Sequence, residues 1–192
     1  MVLRKEDGQG AVDDKYGREY ERKKEFLRQY GYATKRMLAA ECEYMEYAYS
    51  LLGRGITYDA MPHGSGPSGD MAEVIAKKME LEKKMLDGIK RLDEVRTVIR
   101  KKIESLPSEE EKLVLTIKYM NLDIVRGRDG LQAVGCKWKG WADVAKACSY
   151  TERHARRICA TAISRLSITQ EEYEAVGIGL TAETPDIDEK FG

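Results

Sequence analysis

The sequence predicts an all-α protein, a long antiparallel helical hairpin followed by a C-terminal helix-turn-helix. Three observations carry that expectation. Charged residues make up 34% of 192 positions while only two Phe and four Pro occur, a composition that suits long solvated helices better than a sheet protein. Two extended stretches repeat apolar residues at a helical period. Two short amphipathic segments further along are separated by a brief turn-forming stretch, Ser149 to Thr151.

Residues 1–18 are polar and show no apolar period, so a flexible arm is expected there. Beyond it, Phe26, Ala33, Ala40 and Tyr47 recur at intervals of seven, and Tyr30, Met37, Tyr44 and Leu51 form a second such series offset by four. Both series fall on one helical stripe. Gly53 and Gly55 supply its stop. A second stripe, Met71, Val74, Ile75, Met85, Ile89, Leu92, Val95, Ile99 and Ile103, runs to the break at Pro107, with Ser68 or Asp70 placed to cap its start. Two helices of similar length joined by a glycine-rich connector bury their stripes on each other, which defines a hairpin over residues 19–106 with the connector at 53–70. A parallel coiled coil between two copies of the chain is the alternative.

The connector contains Gly64, Gly66 and Gly69 in the G-x-G-x-x-G spacing of dinucleotide sites. That motif works only between a buried strand and a helix, and here only Ile56 and Thr57 precede Pro62. Turn chemistry between helices is the expected role, with phosphate contact by free N–H groups as a secondary one. His63 and Ser65 lack a third group to orient them as base and nucleophile. No catalytic residue, no cofactor and no enzymatic activity are expected.

Residues 107–168 form the segment with the most informative spacing. Ser108, followed by Glu109, Glu110 and Glu111, marks a third helix with an apolar face of Leu113, Ile117 and Met120. Residues 121–140 carry four glycines and read as an irregular excursion or a loop with a short helix, packed down by Trp138 and Trp141. Next, Val144, Ala145 and Cys148 make the inner face of a short helix. Thr151 caps another, whose inner face is Ala155, Ile158, Cys159, Ala162 and Leu166. Ala145 is small where the two helices cross closely. The outward face bears Arg153, Arg156 and Arg157 with His154 nearby. Arginine is suited to paired bonding with guanine edges and to clamping phosphate. Thr151, Glu152, Arg153, His154, Arg156, Arg157 and Thr161 are the residues expected to face double-stranded DNA, with Arg153 and Arg156 reading bases and Arg157 holding phosphate.

The formal net charge is zero, so nothing global demands a nucleic acid or membrane partner. The distribution is uneven, however. Seven basic residues face two acidic ones from Cys136 to Leu166, whereas one basic residue accompanies seven acidic ones from Glu171 to Gly192. The segment 169–192 therefore reads as an acidic tail, dispensable for folding, that competes with DNA for the basic module. Cys42, Cys136, Cys148 and Cys159 show no C-x-x-C spacing and are expected to be reduced core residues; with His154 they offer no expected metal site. The start MVLRKEDGQG turns polar at once and no apolar run approaches a membrane span, which points to a reducing cytoplasm and to no membrane partner.

The stretch WADVAKACSYTERHARRICATAISRL, preceded by EEEKLVLTIKYMN, resembles region 4 of sigma-70-type factors. With the paired-helix front half and the YDAMPHGSGPSGDM connector, residues 20–168 are similar to small phage-encoded late transcription regulators of the RinA/ArpU type. The resemblance implies promoter DNA as target, RNA polymerase as a further partner, and a front hairpin that dimerises the chain or binds another protein. Two departures stand out. Ser149 occupies the turn position where glycine is usual and must take a left-handed conformation, and the 121–140 linker is long. A DNA-packaging component like a terminase small subunit, or a helical interaction module that does not bind DNA, would use the same elements.

Overall fold

The computed structural model describes residues 9–53, 71–127 and 133–179. The connector glycines, His63, Ser65 and the predicted caps Ser68 and Asp70 lie outside them, as does the start of the chain and the acidic segment from residue 180. The described residues are mostly helical and include one small sheet: α1 (Gln9–Gly53), α2 (Met71–Glu104), α3 (Glu109–Leu115) with a π-helical continuation (Thr116–Met120), β1 (Asp123–Arg126), β2 (Ala133–Lys137), α4 (Trp141–Cys148), α5 (Glu152–Arg165) and α6 (Gln170–Ala175). No helix among them is long and apolar enough to cross a membrane.

Three boundaries differ from the sequence-based expectation. The backbone is already helical from Gln9, because a helix anchored by its packed portion propagates at one hydrogen bond per added residue without an apolar face. The 121–140 excursion is an antiparallel β-hairpin, with Asp123 opposite Lys137, Ile124 opposite Cys136 and a register shift after Val125. The acidic segment contributes a packed helix, α6, discussed below.

The chain divides into two compact units. One takes the described residues of Met1–Tyr30, Glu94–Asn121 and Lys139–Gly192, the other those of Gly31–Asp93 and Leu122–Trp138. The expected boundary near residue 106 is therefore displaced. The outer ends of both long helices belong with α3 to α6, and Phe26, Leu27, Val95, Ile99 and Ile103 are buried there.

In the second unit α1 and α2 pair as the predicted antiparallel hairpin. Met37 meets Gly88, Glu43 pairs with Lys84, and the Tyr47 hydroxyl donates to the Val74 carbonyl at 3.2 Å. A Cβ at Gly88 would stand 3.4 Å from the Met37 Cα, an ordinary contact, so the two helices lie close here with room for a methyl group. The second stripe is not wholly inward, since Ile75 and Ile89 are exposed together with Met79 and Leu86. Leu81 is buried instead, because the helical face turned to α1 is offset from the predicted stripe. The β-hairpin packs on α1. The Trp138 ring lies over Gly31, where a Cβ would come within 2.6 Å of it, and the Tyr32 ring meets Trp138 edge-on at 5.5 Å. The Cys42 thiol donates to the Ala133 carbonyl.

In the first unit Ser108 occupies the N-cap position of α3, but its side chain makes no capping bond. The predicted inner face also shifts. Val114, Leu115, Ile117 and Tyr119 are buried, whereas Leu113 is 46% exposed. The cause is the π-helical segment, closed by the Asn121 N–H donating to the Thr116 carbonyl, which inserts an extra residue into the turn and rotates the face. In α6 Thr169 and Glu172 form a reciprocal capping box, and Tyr173, Val176 and Ile178 are buried. Tyr173 meets Phe26 edge-on at 5.7 Å and lies under the Arg22 guanidinium at 4.1 Å.

Candidate nucleic-acid interface

α4 and α5 pack on each other as their residue pattern requires. Val144 and Ala145 are buried on α4, and Ala155, Ile158, Cys159, Ala162 and Leu166 on α5, all predicted inner-face positions; Cys148 is half-buried. Ile163 joins that core. Ser149 ends α4 at φ 59° and ψ 37°, the left-handed conformation expected of it, and the Tyr150 N–H closes the turn on the Ala145 carbonyl at 2.8 Å. Thr151 then caps α5, its hydroxyl accepting from the His154 N–H at 3.3 Å.

The seven predicted contact residues occupy different flanks of α5. At 3.6 residues per turn, Arg157 stands about 40° from Arg153 and Arg156 about 60° to the other side, so Arg153 and Arg157 share the outward line. Both are exposed. Arg156 leans toward α4, with its guanidinium 5.4 Å from the centre of the Trp141 ring and 3.5 Å from the Glu152 carboxylate. His154 is half-buried, edge-on to Tyr150 at 4.9 Å, and its Nδ1 lies 3.2 Å from Arg157 Nη2. Thr161 donates to the Arg157 carbonyl, so its hydroxyl hydrogen is committed to the helix. Arg157, Ile158 and Thr161 line an open hollow with Ser108, Glu110 and Glu111. Arg165, basic but further along, is bound at 2.6 Å to the buried Glu111 and ties α5 to α3.

Sequence spacing missed the groups that flank this face. Lys118, in the π-helical turn, donates to the Lys139 carbonyl at 2.6 Å and sits 4.7 Å from the Trp141 ring centre. Trp141 therefore faces two cations. Burial lowers the Lys118 pKa, and the nearby Arg156 and Arg28 lower it further against the opposing pull of Cys159. Burial likewise pushes the Cys159 thiol up to about 11, outweighing Lys118 and Tyr119, so the thiol behaves as a small core group. No fixed spacing could have revealed Lys118, because the π turn sets its direction.

The four cysteines are free, and among the described residues no cluster of His, Cys, Asp and Glu could hold a metal ion. Comparison with known protein families, with curated proteins and with solved structures finds no match to this chain.

Proposed function

We propose that this chain is a non-enzymatic, sequence-specific DNA-binding regulator of transcription of the phage late-regulator type, working in the cytoplasm of a bacterial host. One observation carries the reading. α4 and α5 join through a left-handed Ser149 turn and pack by their predicted inner faces, leaving Arg153 and Arg157 exposed on the outward line of the second helix. In that arrangement the second helix enters a major groove while the first crosses the backbone. Arg153 and Arg157 read base edges, and Arg156, held against Trp141, meets phosphate. This assignment exchanges the roles that the sequence reading gave Arg156 and Arg157, because Arg157 lies nearer to Arg153 around the helix and Arg156 leans on Trp141.

RNA polymerase is the further partner that the region 4 resemblance suggests. The hairpin serves as the self-association element: Ile75, Met79, Leu86 and Ile89 are 47–63% exposed along one side of α2 and supply an apolar seam for a second copy. Selection of bound duplexes from a random pool tests the DNA reading. A shared enriched motif that maps upstream of a transcription start is the expected result. Recovery without enrichment overturns sequence-specific binding, and a motif at a packaging origin favours the terminase-like alternative.

A further inference from the structure

Beside the outward Arg153–Arg157 line of α5, further cations of the first unit gather around Arg156 and Trp141. Lys118 uses one ammonium hydrogen on the Lys139 carbonyl and rests on Trp141, leaving two hydrogens uncommitted in the described contacts. Arg156 faces the same indole. Arg28 shares a line on α1 with Tyr20 and Lys24, within the first unit, and its charge helps lower the Lys118 pKa after burial. Arg28 and Arg156 each pair with a carboxylate of their own helix, Glu25 at 3.7 Å and Glu152 at 3.5 Å, partly exposed pairs of small worth that a phosphate can displace. Lys118 has no carboxylate partner among the described residues.

We propose that Arg28, Lys118 and Arg156, brought together by α1, the π-helical turn and α5 beside Trp141, form a phosphate-binding site that clamps the DNA backbone next to the recognition helix. The site extends the DNA footprint onto the long first helix and rests on the DNA-binding reading given above. Three features support it. The cations come from three separate elements, so the fold rather than one amphipathic helix assembles them. The Trp141 face and the Lys139 carbonyl hold two of them in fixed directions, which reduces the entropy lost on binding. Burial is the main cause of the lowered Lys118 pKa, and the smaller contribution of Arg156 and Arg28 is a repulsion that an incoming anion relieves.

The test measures affinity of the full chain for its selected duplex and for a scrambled duplex across a salt series. The variants are Arg28→Gln, Lys118→Met and the pair together, with Arg153→Ala as the reference for base contact. Arg28 is the safer site, since 38% of its side chain is exposed. Circular dichroism checks that each variant keeps its helices. Each contact should lower affinity about fivefold near 0.15 M salt, equally on both duplexes, and reduce the log–log salt slope by about 0.9. Unchanged affinity and slope in folded Arg28→Gln and Lys118→Met, with Arg153→Ala still impaired, overturns the phosphate site and leaves the DNA reading intact. Absence of DNA binding by the parent chain overturns both. A loss confined to the selected duplex also overturns the site, because phosphate contacts do not read sequence.

Discussion

Replacing Tyr173 by alanine should destabilise the first unit severely, although composition places this residue in an acidic tail. Tyr173 is 5% exposed, meets Phe26 edge-on at 5.7 Å and lies under Arg22 at 4.1 Å. An aromatic side chain buries about 150 Å² or more, which at roughly 25 cal/mol per Å² is about 4 kcal/mol. The edge contact with Phe26 contributes about 1 kcal/mol beyond the area, and the cavity left by alanine is only partly refilled, so a loss of about 3–5 kcal/mol is expected. For a chain of this size that corresponds to a fall in Tm of roughly 8–15 °C. Thermal unfolding followed by circular dichroism reads it, with Tyr173→Phe as the control that keeps the ring. Truncation after Ser167 should be at least as damaging as Tyr173→Ala, since it also removes Val176, Ile178 and the ion pair of Glu172 with Lys102 at 2.9 Å. A Tyr173→Ala protein that melts within about 2 °C of the parent, less than 1 kcal/mol at this size, would refute the assignment of α6 to the core.

Three further outcomes follow from single sites. Gly31→Ala places a Cβ 2.6 Å from the Trp138 ring and should cost about 1–3 kcal/mol in denaturant unfolding, with a shift in tryptophan emission. Ser149→Gly relieves a non-glycine residue at φ 59° and should raise stability by about 0.5–1 kcal/mol without loss of DNA affinity. For Glu172, desolvation raises the pKa but is outweighed by hydrogen bonds from Thr169 and Lys102, so the net shift is downward. A depressed carboxylate stabilises the fold above its unfolded pKa and loses that contribution as pH falls through the folded value. Glu172→Gln should therefore lower stability at pH 7, and the difference from the parent should fade in acid melts toward about pH 3.

The legible parts of the sequence were those where local chemistry and long-range packing agree. The α4–α5 inner faces and the Thr151 cap follow from residue type and spacing alone, whereas the left-handed Ser149 was expected from the resemblance to a turn that usually carries glycine. The β-hairpin was missed although Asp129-Gly130 is a favoured hairpin pair, because its flanks mix Ile124 and Val125 with Arg126 and glycines that dilute the strand alternation. Its stability comes instead from Trp138 on Gly31, a contact across more than a hundred positions that no window detects. The exposed stripe of Ile75, Met79, Leu86 and Ile89 shares its period with a buried one, so period reveals a helix but not which face its partner covers. α6 was hidden by charge: Glu171, Glu172 and Glu174 surround the buried Tyr173, and the capping box at Thr169 was the overlooked signal. At the candidate interface, residue type identified the arginines, but the π turn and Trp141 set which way Lys118 and Arg156 point.

The central claim is that the outward line of α5 reads DNA. The most direct measurement is the affinity of Arg153→Ala and Arg157→Ala for a selected duplex and a scrambled one, across a salt series and with helix content verified. Each variant should lose about 1–3 kcal/mol on the selected duplex and flatten the preference at one base position, while its binding to scrambled DNA changes far less. Parent-like affinity and preference in both folded variants would contradict the account and leave that face of α5 as a solvated surface.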